Sequence, residues 1–170
     1  MAKDLHLHLY NTNKMETKTS INESDLVDVA HSMNEILTDE FALCIKTRRA
    51  HCALNSPDFD GKHILFEKQY RQLENIIDDI TERIRDLRLI SSSLMAQHLD
   101  LTHMTEYESD NDSMNHIGIL LAGHECILIR LREKIRSYAN LHWYKSTKDY
   151  VTGLLEVHQK MAWLLQAHLD

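Results

Sequence analysis

Five side chains between residues 51 and 82 are of the types that bind first-row transition metals in proteins. They are two imidazoles and three carboxylates: His51, His63, Glu67, Asp78 and Glu82. His63 and Glu67 are four residues apart, as are Asp78 and Glu82, and residues at that spacing lie on one face of an α-helix. Each pair could therefore hold an ion. Mixed nitrogen and oxygen ligands without thiolate favour iron or another borderline divalent ion over structural zinc.

The spacing between the two pairs limits what one chain can do with them. His63 and Asp78 are fifteen residues apart, which is about 22 Å along a straight helix. Either there are two separate weak sites, or one site is shared between antiparallel helices of two subunits in a two-fold dimer. On the simplest pairing, His51 and His63 come from one chain, with Glu67 reaching across, and Asp78 and Glu82 come from its partner. Spacing alone does not determine which subunit contributes each ligand. An ordinary solvated acidic face is the alternative explanation for the carboxylates.

Long helices are predicted to position these ligands. The chain of 170 residues has four glycines and one proline, Pro57, which suits long helices rather than a many-turned β protein. Apolar residues at three- and four-residue steps predict four helices. These run from Asn22 or Ser24 to about Leu54, from Asp60 to about Ile90, from Ser113 to Asn140, and from Ser146 or Thr147 to the end. The predicted fold class is all-α, a four-helix bundle, in one domain spanning residues 23–170.

The apolar stripes of these helices predict the core. The first helix carries Leu26, Ala30, Met33, Leu37, Phe41 and Cys44, widened by Val27 and Ile45. The second carries Phe66, Tyr70, Leu73, Ile77, Ile80, Ile84 and Leu87, whose alternating steps of four and three are typical of a left-handed bundle seam. The four metal-capable residues of this helix lie on an arc beside the seam. His124 and His158 fall on the stripes of the third and fourth helices, and we interpret them as hydrogen-bonded core histidines.

Two segments fall outside the predicted helices of the bundle. Residues 1–22 are polar and lack a helical pattern, so they are predicted to form a flexible arm. The link between the second and third helices is longer than an up-down bundle needs, which favours a crossover with a function of its own. Leu94 to Leu101 could form a short helix there, and the acidic loop from Glu108 to Ser113 could cap the third helix.

Composition narrows the function classes. The formal net charge is −7, from 26 acidic and 19 basic residues, which argues against a general nucleic-acid-binding surface. Twelve histidines hint at metal or proton chemistry. The three cysteines, Cys44, Cys52 and Cys126, have no framework spacing and predict reduced thiols in a cytoplasmic protein. No stretch predicts a signal peptide or a membrane span.

The ligand spacing resembles that of the Dps family, the ferritin-like DNA-protection proteins of starved cells. That family has a histidine at the end of the first helix, a second twelve residues on, a carboxylate four later, then an Asp and a Glu. The matching residues are His51, His63, Glu67, Asp78 and Glu82. The segment DITERI around Glu82 and the stretch Tyr150 to Leu169 are also similar to the family's second and last helices. The resemblance covers residues 24–170.

The resemblance implies a ferritin-like four-helix bundle with a short helix in the crossover, and a dodecameric shell built from dimers. It implies that the five ligands are the catalytic and metal-binding residues of a ferroxidase. Fe²⁺ would be oxidised at inter-subunit sites, preferably by hydrogen peroxide and otherwise by oxygen, and stored as ferric mineral. This would protect a cytoplasmic, or nucleoid-associated, environment against oxidative damage.

Three positions depart from the family pattern. Glu67 stands where the family often has Asp, which keeps a carboxylate on a longer side chain. Cys52 stands where Trp often follows the first histidine, and it is either a packing residue or an oxidisable electron donor. The turn HWYKSTKD, which resembles an acidic pore region, carries Lys145 and Lys148 against Asp149, so it is not an obvious funnel for Fe²⁺.

Three hypotheses follow. The first is an iron-oxidising, iron-storing shell that takes Fe²⁺ and peroxide. The second is a DNA-compacting nucleoid protein with incidental metal sites, although the acidic charge and nearly neutral arm would make the phosphate-neutralising contribution small. The third is a structural four-helix interaction module of monomers or dimers.

Overall fold

Four long helices make up the described part of the chain. The computed structural model describes residues 23–54, 59–86, 113–138 and 145–169. The helices are α1 (Glu23–Ala53), α2 (Phe59–Asp86), α3 (Ser113–Tyr138) and α4 (Lys145–Gln166), and the described residues contain no strand. The predicted all-α four-helix bundle is confirmed. The predicted arm at residues 1–22 and the short crossover helix lie outside the described residues.

The helix ends agree with the sequence signals to within a few residues. α2 has Asp60 in its first turn and Arg83 and Arg85 in its last, which places charges favourably against the helix dipole. α1 carries His51 in its last turn, and that position puts the imidazole beside the start of α2. The local sequence therefore places the first candidate ligand at a helix end.

Apolar stripes from all four helices form the core. α1 packs against α2 and α3, and α3 packs against α4. The seam of α2 is buried as predicted at five positions, while Tyr70 is partly buried. These five are Phe66, Leu73, Ile77, Ile80 and Ile84. Each such side chain contributes about 1.5–3 kcal/mol relative to staying exposed. The seam therefore fixes the rotation of α2, and with it the direction of the residues beside the seam.

One prediction about the α1 stripe is wrong. Ile45 was expected to widen the stripe, but its side chain is 52% exposed. The core side of α1 instead includes Val29, Ile36 and Leu43, all 1% exposed or less. α1 packs against α2 and α3 and also meets α4 through Glu40 and His158, so its buried surface is wider than a single stripe and extends to the side opposite Ile45.

Polar contacts between helices fix their relative height. Between α1 and α3, Arg130 Nε lies 2.7 Å from Asp39 Oδ2, and the Tyr138 hydroxyl donates to Ser32 Oγ at 2.6 Å. Between α2 and α4, Gln69 Nε2 donates to the Met161 carbonyl at 3.0 Å. A buried polar group left without a partner destabilises the fold by about 1–3 kcal/mol. Moving one helix along its neighbour would break these contacts and is therefore unfavourable.

None of the four helices in the described part of the chain has both the length and the apolar character needed to cross a membrane.

Candidate metal centre

The junction of α1 and α2 brings two of the five predicted ligands together. The rings of His51 and His63 are stacked, with their centroids 3.8 Å apart and their planes at 29°. Twelve residues separate them in sequence, and the turn between the helices returns the chain to the same place. Both side chains are partly buried, so each ring has one protein-facing and one outward-facing side.

The hydrogen bond of His51 determines which nitrogen can bind a metal. His51 Nδ1 lies 3.2 Å from the backbone carbonyl oxygen of His63. A carbonyl oxygen only accepts, so Nδ1 carries the proton and the lone pair of the neutral ring is on Nε2. Histidines that bind metals commonly have this second-nitrogen bond, which fixes both the tautomer and the ring orientation. In His63, Nδ1 is the buried nitrogen, which leaves Nε2 as the nitrogen nearer the surface.

Glu67 lies one helical turn beyond His63 and is held by an arginine. Arg71 donates to Glu67 Oε1 through Nε at 3.0 Å and through an Nη at 2.6 Å. The hydrogen bond from Arg71, followed by its charge, lowers the pKa of the Glu67 carboxyl, with smaller contributions from His51 and His63. The carboxylate is therefore ionised over a wide pH range, and its charge lies near both imidazoles.

An aromatic ring and a second arginine border the histidine pair. Tyr70 meets the His51 ring edge-on, with centroids 5.4 Å apart and an angle of 70°. The Arg48 guanidinium lies 5.0 Å from the Tyr70 ring centroid and is paired with Glu74. Because each arginine here has its own carboxylate, the surroundings of the histidines are not strongly cationic.

Asp78 and Glu82 lie elsewhere on α2. Both are exposed, and neither forms an ion pair with another described residue. The helix is unbroken between them and His63, so the separation of about 22 Å expected from helical rise stands. Within the described residues, no group of three or more His, Cys, Asp or Glu side chains is placed to hold a metal. One chain thus presents two separated groups of ligands, which we call the histidine half (His51, His63, Glu67) and the acidic half (Asp78, Glu82).

Two arginines of α2 that could offset the charge of the acidic half have other partners. Arg71 binds Glu67, and the Arg83 guanidinium lies 3.9 Å from the centroid of the Tyr150 ring. The acidic half therefore keeps its charge uncompensated by those two arginines.

Cys52, the residue after His51, is an exposed free thiol. It does not pack into the core of its own chain, which leaves the electron-donor alternative open. Cys44 and Cys126 are also free. Burial raises the pKa of the Cys44 thiol to about 11, so Cys44 is an inert core residue at neutral pH.

Two carboxylates of α1 that the spacing argument did not identify are fully buried, Asp39 and Glu40. Glu40 on α1 is 0% exposed, and its Oε1 lies 2.8 Å from His158 Nε2. His158 Nδ1 lies 2.9 Å from His124 Nδ1, so the two predicted core histidines do pack inside the bundle and contact each other. The signal for Glu40 was its spacing, since it follows Leu37 by three residues and precedes Cys44 by four.

Comparisons with known proteins agree on the fold. A family model described as a ferritin-like domain matches residues 30–170. An uncharacterised low temperature-induced protein of Nostoc is 30% identical over 143 residues, covering 84% of this chain and 80% of the relative. A protein of Agrobacterium fabrum named for DNA protection during starvation is 26% identical over 159 residues, covering 90% and 98% of the two chains.

Solved structures give the same result. The Dps protein of Vibrio cholerae, described as a ferritin-like diiron-carboxylate protein, superposes with a TM-score of 0.83 at 22% identity, covering 94% of this chain and 100% of that chain. Dps of Thermosynechococcus elongatus superposes with a TM-score of 0.81 at 22% identity, covering 87% and 94%. At these identities the structures establish the shared fold, and the chemistry has to be argued from the residues.

Proposed function

Because the chain belongs to the ferritin-like domain family and has the fold of the Dps proteins, we propose that it oxidises Fe²⁺ and stores the ferric product. The observation that carries this proposal is the stacked pair His51–His63, in which the hydrogen bond of His51 directs an unprotonated Nε2 outward. The pair lies beside an ionised Glu67. Two imidazoles and a carboxylate with open positions are a common ligand set for ferrous iron that reacts with an oxidant.

The second part of the proposal is that each iron site is shared between two subunits. The histidine half has too few ligands for a closed site, and the acidic half has no histidine. Two copies of α2 related by a two-fold axis would run antiparallel, so the start of one would lie against the end of the other. Each histidine half would then face the acidic half of the partner, and a dimer would contain two sites.

Exposed apolar side chains support an oligomer. Ile45, Ile64, Ile129 and Trp163 are all at least 50% exposed in the single chain. Ile64 directly follows the ligand His63, so an apolar surface adjoins the histidine half. Covering such surface is favourable, and contact between subunits is the usual means. We propose that further contacts of this kind build a dodecameric shell around the mineral.

The chemistry assigns a role to each group. His51 and His63 offer neutral nitrogens, and Glu67, Asp78 and Glu82 offset the charge of Fe²⁺ and stabilise the more highly charged Fe³⁺. Hydrogen peroxide accepts two electrons, one from each of two Fe²⁺ ions, and hydrolysis of the Fe³⁺ formed releases protons. We propose peroxide as the preferred oxidant and oxygen as the alternative, in the cytoplasm.

Mixing two inactive variants tests the shared site. His51→Ala, His63→Ala removes the histidine half, and Asp78→Asn, Glu82→Gln removes the acidic half without changing side-chain shape much. Each variant alone should oxidise Fe²⁺ with peroxide only at the background rate, followed by absorbance of the ferric product. When both are expressed together, each mixed dimer has one intact site and one doubly altered site. Random pairing would then restore about one quarter of the wild-type activity.

Two controls make the result interpretable. Mass spectrometry of dissociated dimers measures the share of mixed dimers, because the two variants differ in mass, and size-exclusion mass reports whether the shell forms. Full inactivity of the mixed shells would contradict sharing between subunits. Iron oxidation that persists unchanged in both parent variants would contradict the proposed function itself.

DNA binding is a separate expectation. A relative carries DNA protection in its name, but the net charge of −7 here opposes contact with phosphates. We expect no gel shift at moderate salt, and a shift under those conditions would revive the DNA-compacting alternative.

A further inference from the structure

A chain of three polar side chains crosses the interior of the bundle. Glu40 on α1, His158 on α4 and His124 on α3 are each 0% exposed. Glu40 Oε1 lies 2.8 Å from His158 Nε2, and His158 Nδ1 lies 2.9 Å from His124 Nδ1. We call these residues the buried chain. It lies on helices other than α2 and shares no residue with the histidine half or the acidic half.

The two contacts limit how many protons the buried chain can hold. Two facing ring nitrogens make a hydrogen bond only if one of them is protonated and the other is not. His158 can be an imidazolium, because one of its N–H groups meets the Glu40 carboxylate and the other meets His124. His124 must then be neutral, since a proton on its Nδ1 would face the proton on His158. With Glu40 ionised, the chain is saturated when it holds one imidazolium.

The far ends of the buried chain offer no second counter-charge. Among the described residues, Glu40 Oε2 and His124 Nε2 are buried without a hydrogen-bond partner. The other titratable groups near Glu40 are Cys44 on α1 and the Tyr150 hydroxyl on α4, and burial, with a smaller contribution from the Glu40 charge, raises the pKa of both. From α2, Glu74 acts on Cys44, and Asp79 and Arg83 act on Tyr150. None of these supplies an anion to His124.

We propose that the buried chain limits the bundle to one buried imidazolium, so that mild acid destabilises the folded protein through His124. The unfolded chain has no such limit and protonates both histidines below a pH of about 6.5. Below that pH, unfolding is therefore accompanied by the uptake of one proton, because His124 is protonated in the unfolded chain and neutral in the folded bundle. Burial, followed by the neighbouring His158, lowers the pKa of His124 well below its ordinary value, which agrees with this direction.

The direction of the pH effect follows from linkage. A base whose folded pKa is lowered costs nothing above its unfolded pKa, where it is neutral in both states. As pH falls below that value, the unfolded state binds the extra proton. The equilibrium constant of unfolding then rises by about tenfold for each pH unit. The effect belongs to the window between about pH 6.5 and 5, above the range in which ordinary carboxylates titrate.

Two substitutions in the buried chain should affect the pH dependence differently. In His124→Gln, the amide oxygen can accept from His158 without titrating, so the proton uptake on unfolding should fall by about one, and the tenfold-per-unit slope should be lost. In Glu40→Gln, the contact between His158 and His124 is kept, so the limit on His124 remains and the slope should not fall. Guanidinium unfolding of the assembled protein, followed by helix circular dichroism between pH 7.5 and 5, measures the slope.

The exposed His168 supplies the matched control, because His168→Gln removes a histidine outside the core and should leave the slope unchanged. Equal slopes in wild type, His124→Gln and Glu40→Gln would overturn the proposal, even if all three differ in stability.

A metal ion held by Glu40, His158 and His124 is the competing explanation. Stoichiometric zinc or iron that is retained by the His51→Ala, His63→Ala variant and lost on adding His124→Gln would overturn the proton-limited chain in its favour. Since the test measures unfolding, it is independent of whether the proposed iron oxidation is correct.

Discussion

Imidazoles and carboxylates occur at two places in this bundle, and their surroundings give them opposite properties. At the junction of α1 and α2, His51 and His63 are partly buried and stacked, and His51 Nδ1 is engaged by the His63 carbonyl. In the buried chain, His158 uses both ring nitrogens inside the protein, on Glu40 and on His124. The first group is the one that we propose to bind a metal ion, while the side chains of the second are engaged in hydrogen bonds with one another.

Residue type alone does not make a side chain a metal ligand. A ligand needs a lone pair that faces space an ion can enter, with its other polar atoms satisfied by the protein. His51 meets this condition through one backbone contact. His158 does not meet this condition, because both of its ring nitrogens contact other side chains, Glu40 and His124. Substitutions should therefore affect function at the first place and folding at the second.

The largest expected effect comes from breaking the buried chain. His158→Ala leaves the Glu40 carboxylate without its partner in the core and opens a cavity, which should destabilise the fold by about 3–5 kcal/mol. Guanidinium unfolding at pH 7.5 measures the loss. Adding Glu40→Leu to the same variant removes the stranded charge and should recover part of it. If the free energy of unfolding of His158→Ala differs from wild type by less than about 1 kcal/mol, burial does not explain the difference between the buried chain and the histidine half.

The second expected effect is the converse at the histidine half. His51→Ala, His63→Ala should lower the rate of peroxide-driven Fe²⁺ oxidation by about 100-fold or more, since both imidazoles are lost. The same change should alter the free energy of unfolding by only about 1 kcal/mol, because neither ring is fully buried. Stopped-flow absorbance and guanidinium unfolding give the two numbers. A large loss of stability with little loss of oxidation would reverse the assignment.

A smaller effect concerns Glu35, which lies between the exposed and the buried extremes. Burial raises the pKa of this carboxyl, but the hydrogen bond and charge of Lys134, with help from His31 and Arg130, lower it overall. The resulting stability is present above a pH of about 4.5 and is lost as pH falls through the folded pKa. Lys134→Met should cost about 1 kcal/mol or less at pH 7 and flatten the acid limb below pH 4.5. Unfolding at both pH values checks this, with Arg132→Met as an exposed control on the same helix.

The smallest effect should appear only in a titration. Arg71→Gln removes the hydrogen bond that is the main cause of the lowered pKa of Glu67, so this pKa should move up toward its ordinary value. Carboxyl NMR of the metal-free protein measures the shift. Arg48→Gln is the matched control, because Arg48 pairs with Glu74 and not with Glu67. An identical Glu67 titration in both variants would show that its charge is set by something other than Arg71.

The sequence by itself determined the elements and much of the core. Steps of three and four residues placed the four helices and identified the α2 seam, because the side of a helix on which a residue lies depends only on its spacing. The same argument gave the two separated ligand groups, since helical rise is fixed at about 1.5 Å per residue. That these ligands form one site between two subunits remains a prediction.

Only the tertiary structure decided which residues meet across helices. Spacing along α1 fits both Glu40 and Phe41 to the apolar stripe, so it could not show that Glu40 is fully buried, or that Ile45 would be exposed. It also could not show that His124 and His158 point at each other, or that His51 bonds the His63 carbonyl. These contacts depend on the rotation and relative height of packed helices, which are set by interlocking side chains from several segments at once. Periodicity within one segment carries no information about them, and that is why the buried chain emerged only from the folded bundle.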